Sequence, residues 1–119
     1  MLNLDTHVLL FALSGELTRH EKAVLARHRW GISAIVLWEI AKLHQLGRIT
    51  LGLDSPSLGA ALARIEIWPL TLEVCSNLAL LDFKSDPADE LIAATSLTHE
   101  VPLLTRDRKI RASKLIQFA

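Results

Sequence analysis

A single cysteine, Cys75, occurs in 119 residues. A disulfide framework and any zinc site built from several cysteines are therefore excluded. Neither charge is in surplus, since 13 basic side chains face 13 acidic ones, and a nucleic-acid partner has to be argued from a local patch rather than from net charge. No apolar run approaches the roughly 20 residues that span a bilayer; the longest is Val8–Leu13. The amino terminus lacks the basic start and small-residue cleavage site of a secretory signal, and Asp5 interrupts it early. Internal repeats, linkers and biased segments are also missing. What is present is half hydrophobic and 22% charged, which excludes a disordered or low-complexity chain. The expectation is one soluble, intracellular (cytoplasmic) domain over residues 1–119, with the lone thiol suiting a reducing compartment.

Short apolar runs alternate with longer helical patterns. Met1–Leu4 reads as a strand, followed by a helix that Asp5-Thr6 can cap and Gly15 ends. A second helix is expected from Thr18 to about His28, then a strand at Trp30–Ser33. Ser33 is placed to cap a helix over Ala34–Leu46, closed by Gly47. Dense turn chemistry fills Gly52–Gly59, where Ser55-Pro56 starts a helix running to about Arg64. Strands at Ile65–Trp68 and Val101–Thr105, helices at Thr71–Leu80 and from Asp86-Pro87 to His99, and a short fifth strand at Leu115–Gln117 complete the pattern. Strands separated by helices imply crossover connections, hence an α/β/α sandwich around a mostly parallel sheet of four to five strands.

In such a sheet the site lies beyond the carboxyl ends of the strands. Asp5 follows the first strand directly, Asp107 follows the fourth by two residues, and Asp89 stands in the first turn of the helix after Asp86. Each has a plainer role available: Asp5 as a helix cap, Asp107 as the start of a turn, Asp89 as a partner for the helix dipole. Glu39 fits a plainer role least well. Its neighbours at i−4, i−3 and i+4 are Ile35, Val36 and Leu43, and a carboxylate on an apolar side needs compensation. Lys42 could supply it, and so could a hard divalent cation such as Mg²⁺ or Mn²⁺. His7, Trp30, Trp38, Trp68 and Cys75 all lie in apolar surroundings and read as structural, the cysteine as a small buried hydrophobe. The run Arg106, Arg108, Lys109, Arg111 and Lys114 is either a grip for backbone phosphates or a solvated turn.

Four segments carry more specific information: Leu4-Asp-Thr-His-Val-Leu-Leu10, Ser33-Ala-Ile-Val-Leu-Trp-Glu-Ile-Ala-Lys-Leu43, Asp86-Pro-Ala-Asp-Glu-Leu-Ile-Ala-Ala-Thr95 and Leu103-Leu-Thr-Arg-Asp-Arg108. In order and over nearly the whole chain, they resemble the PIN-domain family, and within it the VapC-type toxins of toxin–antitoxin pairs. The resemblance implies a Mg²⁺- or Mn²⁺-dependent ribonuclease leaving a 3′-hydroxyl and a 5′-phosphate. Its acidic set maps onto Asp5, Glu39, Asp89 and Asp107, with Thr6 and Thr105 as supporting hydroxyls and Asp86 as a helix cap. Asp5 and Asp107 are then expected as direct ligands, Asp89 beside them and Glu39 through water. The basic side chains Arg106, Arg108, Lys109 and Arg111 would hold RNA. Many relatives carry Arg where this chain has Glu90, which bears on the charge balance and the number of metals.

The resemblance also implies a VapB-like antitoxin, docked on apolar surface from the first two helices and the Ala34–Leu46 helix, and a homodimer. Two other readings stand beside this one. A phosphoacceptor receiver domain has similar length and sheet class, but would want an acidic pair after the first strand and an Asp ending the third, where this chain has Asp5-Thr6 and Trp68-Pro69. A PIN-like binding module without catalysis is the other, and the presence of all four acids weighs against it.

Overall fold

The computed structural model describes residues 1–119. Its order is β1 (Leu2–Leu4), α1 (Thr6–Ser14), α2 (Arg19–Ala26), β2 (Trp30–Ser33), α3 (Ile35–Gln45), α4 (Pro56–Leu62), β3 (Glu66–Trp68), α5 (Leu72–Ser76), a 3-10 turn (Asn77–Leu80), α6 (Pro87–His99), β4 (Leu103–Leu104) and α7 (Arg108–Arg111). All strand pairs are parallel and the sheet runs β3-β2-β1-β4. Every residue of β1, and Gly31, Ile32 and Ser33 of β2, is buried whichever way its side chain points. That is the mark of a parallel sheet covered by helices on both faces. No helix is long and apolar enough to cross a membrane.

Strand order decides where a site can lie. It reverses between β1 and β4, so the crevice at a switch point opens beyond Leu4 and Leu104. It also sets aside the receiver reading, because the flavodoxin-like order 2-1-3-4-5 would place β3 beside β1, whereas here β4 holds that place and β3 pairs only with β2.

Local chemistry accounts for most boundaries. Thr18 caps α2 through a reciprocal box with Glu21. Gly15 and Gly47 take positive φ values of 77° and 72° where α1 and α3 end. Ser33 accepts from the Ile35 amide at 3.2 Å, so α3 starts one residue later than expected. The other differences have physical reasons. The segment Thr71–Leu80 is a short α-helix that tightens into a 3-10 turn, not one helix. Leu115–Gln117 forms no strand. The chain there makes one bridge, Phe118 to Leu103, after Asp82 has tied down the preceding turn by accepting from Ser113 Oγ and Lys114 N. Trp38, expected in the core, is 56% exposed, because the buried stripe of α3 is taken by Val36 and Ile40. Cys75, expected to be buried, is exposed, since Val74 is the residue of α5 that turns inward.

Trp68 does sit in the core. It lies against Gly31 of the neighbouring strand and stacks on His99 with ring centroids 5.3 Å apart. A Cβ at position 31 would come within 2.5 Å of the Trp68 ring, so Gly31 is required by packing rather than by backbone conformation. Gly31→Ala is expected to lose about 1–3 kcal/mol in urea unfolding, the usual cost of overpacking. Adding Trp68→Phe, which withdraws the clashing ring edge, should recover part of that loss.

Candidate metal centre at the switch point

Asp5 leaves the sheet as the cap of α1. It is 5% exposed. One carboxylate oxygen accepts from the Thr6 amide at 2.8 Å, the other from the Thr105 hydroxyl at 2.5 Å, across the β1–β4 junction. The Thr6 hydroxyl is spent on Glu39 Oε1 at 2.5 Å, which brings α3 to the same point. Asp89 arrives from the first turn of α6 and accepts from Ser85 Oγ at 2.9 Å. As a result, ligand atoms of Asp5, Glu39 and Asp89 lie within 4.8 Å of one another.

None of these carboxylates has an ion-pair partner, and the nearby His7 offsets only a small part of the shifts on Asp5 and Glu39. The one ion pair within 4.0 Å in the chain joins Arg106 to Glu21, and Lys42, the candidate partner for Glu39, donates to Gln45 instead. Burial pushes all three carboxyls above their ordinary values, and mutual repulsion adds to it: Asp107 acts on Asp5, Asp5 and Asp89 on Glu39, and Asp5 on Asp89. Oxygen ligands converging without Lys or Arg suit a hard cation such as Mg²⁺ or Mn²⁺. By this donor set, the residues present fit the ion.

Asp107 stands apart from that triad. Its carboxylate accepts from the Lys109 and Ile110 amides as the cap of α7, a helix that the polar run Arg106–Lys109 did not suggest. It still lines the same open cleft, of about 740 Å³, with Asp5, Glu39, Asp86 and Asp89. Of the expected ligands, then, the fold brings Asp5, Asp89 and Glu39 together and holds Asp107 on the adjoining wall. The Thr6 and Thr105 hydroxyls donate to Glu39 and Asp5 respectively. Arg106 is committed to Glu21 and lies over Phe11 at 4.0 Å, while Arg108, Lys109 and Arg111 are exposed on α7.

Three residues hold places other than those the sequence reading gave them, and a fourth, Asn3, was passed over. Asp86 begins α6 but makes no side-chain cap bond, contrary to its expected role, and faces the cleft. Glu90 takes over at that turn, accepting from the Ser85 amide at 3.0 Å, so its charge is used outside the cleft. His7 is exposed on the cleft wall rather than structural. Buried Asn3 donates to Ile92 O and Ser96 Oγ at 3.0 and 2.9 Å, fixing β1 against α6 and hence Asp5 against Asp89. A lone amide inside an apolar strand was the available signal.

The PIN domain family model matches residues 3–114, so the chain belongs to the PIN-domain family. It is 34% identical over 86 residues to Ribonuclease VapC22 of Mycobacterium tuberculosis (strain ATCC 25618 / H37Rv), a match spanning 70% of this chain and 66%, just under two thirds, of that protein. Its fold resembles that of VapBC2 from Rickettsia felis bound to a DNA fragment from their promoter, at a TM-score of 0.77 and 17% identity over 100% of this chain and 98% of the other. A toxin–antitoxin complex from Klebsiella pneumoniae gives a TM-score of 0.70 and 22% identity over 94% and 91% of the two chains.

The raised carboxyls predict an inverted acid response. Groups whose folded pKa exceeds the unfolded value take up protons on folding, so stability rises as pH falls through the folded values. Glu21, lowered to about 2 by its Arg106 partner, acts oppositely: its contribution is full above 4.5 and is lost toward 2. The metal-free protein is therefore expected to melt higher at mildly acidic pH than at pH 8, and lower again in strong acid. Asp89→Asn should raise the pH 8 midpoint by a few degrees and flatten the acid-side gain, as read by thermal unfolding in chelator.

Proposed function

We propose that the protein is a divalent-cation-dependent endoribonuclease acting as the toxin of a toxin–antitoxin pair. The observation carrying this reading is the convergence of Asp5, Glu39 and Asp89 without an ion-pair partner. Those three carboxylates would hold Mg²⁺ or Mn²⁺, with Asp107 completing the acidic set from the adjoining wall. A bound divalent cation supplies positive charge to a phosphodiester and lowers the pKa of water. The chain's own part is positional. Thr105 and the Thr6 amide hold Asp5 by its two oxygens, the Thr6 hydroxyl holds Glu39, and Ser85 holds Asp89. Arg108, Lys109 and Arg111 stand where RNA backbone could be gripped beside the cleft, with Arg106 at its rim, which implies salt-dependent affinity.

A second cleft supports the partner reading. It has a volume of about 530 Å³, and Leu10, Phe11 and Leu13 of α1 face Ile49 and Leu51 across it. It shares His7, Phe11, Arg48 and Ile49 with the acidic cleft. An amphipathic segment of a VapB-like antitoxin could lay its apolar side there and direct a basic side chain at the carboxylates. Relative to expectation, the wall facing α1 comes from the segment after α3 rather than from α2 or α3 themselves. The exposed Trp38 on α3 and the 85% exposed Leu72 on α5 are apolar surface available to a homodimer.

Two measurements test the reading. Single-stranded RNA incubated with Mn²⁺ should yield fragments with 3′-hydroxyl and 5′-phosphate ends, and Asp5→Asn should reduce the rate by at least about 100-fold, in the range seen when electrostatic stabilisation is removed. Unchanged cleavage by that variant would sink the assignment, whereas Mn²⁺ binding without any cleavage by the unaltered chain would favour a binding module. Expression without a partner should arrest host growth. A well-behaved monomer that leaves growth and RNA untouched contradicts the toxin role.

A further inference from the structure

We infer that Glu21 is a positioning residue for the cation site: it holds the Arg106 guanidinium at the rim of the acidic cleft and so keeps that guanidinium off the carboxylates. This rests on reading that cleft as a divalent-cation site.

Arg106 lies between Thr105 and Asp107 at the end of β4 and lines the cleft with Asp5, Glu39, Asp86, Asp89 and Asp107. Five carboxylates therefore share a cleft with this flexible cation and with Arg48, and a guanidinium matches carboxylate geometry with two parallel hydrogen bonds. The Arg106 guanidinium is held elsewhere. Nε donates to Glu21 Oε2 at 2.8 Å, and Nη2 donates to Glu21 Oε1 at 2.7 Å and to the Glu16 carbonyl at 3.1 Å. The guanidinium carbon sits 4.0 Å from the centre of the Phe11 ring, a cation–π contact that also favours this outward pose.

The anchor is itself fixed. Glu21 is buried, its Oε1 accepts from the Thr18 amide at 2.8 Å, and its own amide donates to Thr18 Oγ1 at 3.1 Å. It is an acid tied into the start of α2, and Arg106 is its one ion-pair partner. Its carboxyl, lowered to about 2 chiefly by Arg106, stays ionised at neutral pH. A merely structural ion pair between α2 and β4 would contribute to stability and leave cation affinity alone, and that difference is measurable.

The experiment is calorimetric titration of Mn²⁺ into the full chain at low ionic strength, with circular dichroism to establish folding. Glu21→Gln keeps an acceptor for the Thr18 amide but removes the charge that restrains Arg106. It is expected to weaken Mn²⁺ binding about 30-fold, the factor for bringing one unit charge to about 4 Å from a divalent ion in a water-filled cleft. Arg106→Gln, and the double variant Glu21→Gln/Arg106→Gln, should bind Mn²⁺ at least as tightly as the unaltered chain. Arg106→Lys gives an independent arm should Glu21→Gln fail to fold: an ammonium cannot make the two-pronged bond to Glu21, so it is expected to weaken Mn²⁺ binding where Arg106→Gln does not. A folded Glu21→Gln with unchanged affinity, a double variant as weak as the single one, or Arg106→Lys indistinguishable from Arg106→Gln would overturn the inference. Absence of Mn²⁺ binding by the unaltered chain overturns the metal reading beneath it, and that arm alone separates the two failures.

Discussion

The Asp5 carboxylate is buried at the carboxyl end of β1, and its two oxygens are occupied from opposite sides of the sheet's switch point, by the Thr6 amide of α1 and the Thr105 hydroxyl of β4. A buried carboxylate is costly, and hydrogen bonds from neutral donors compensate it only in part. Here it is also placed against Glu39 and Asp89. At an effective dielectric near 20, like charges about 5 Å apart repel by roughly 3 kcal/mol per pair, less where water enters the cleft. The remainder of the site is arranged around that repulsion.

Neutral donors hold the three acids directly. Thr6 serves two acids, with its amide on Asp5 and its hydroxyl on Glu39. Asn3 fixes α6 against β1, and Ser85 with Glu90 sets the turn that delivers Asp89. Lys42 donates to Gln45, and Arg106, next to Asp107 in sequence, is occupied by Glu21. Precise placement is thus obtained without neutralising the negative potential, which is what a site for a cationic ligand requires. Strain of this kind is carried by the rest of the fold and relieved by whatever binds.

Much of this was legible before any coordinates. Caps and turn residues carry their geometry locally, so Thr18, Gly15, Gly47 and the Asp86-Pro87 start of α6 marked their helices well. Trp30–Ser33 stands as read. Asp5, Glu39 and Asp89 could be singled out because each is an acid where strand ends or apolar neighbours make an acid costly. Errors clustered where non-local contacts decide. Trp38 and Cys75 are hydrophobic by type, but their helices turn Val36, Ile40 and Val74 inward instead. Leu115–Gln117 has strand composition, yet Asp82 anchors the preceding turn and leaves room for a single bridge.

By itself, then, the sequence determined the alternation of strands and helices, the parallel sheet that this alternation enforces, and the identity of the acids worth suspecting, because periodicity, capping and the cost of a charge among apolar neighbours act over a few residues. Only the tertiary structure decided which acids meet. The order β3-β2-β1-β4 puts residues 5 and 105 side by side, and the Asn3 bonds to α6 set Asp89 beside them, while a local cap bond holds Asp107 on the cleft wall. Whether Arg106 neutralises the cluster or leaves it free rests on Glu21, 85 residues away. Such a pairing is fixed by how α2 packs beside β4, and no pattern within either segment encodes it.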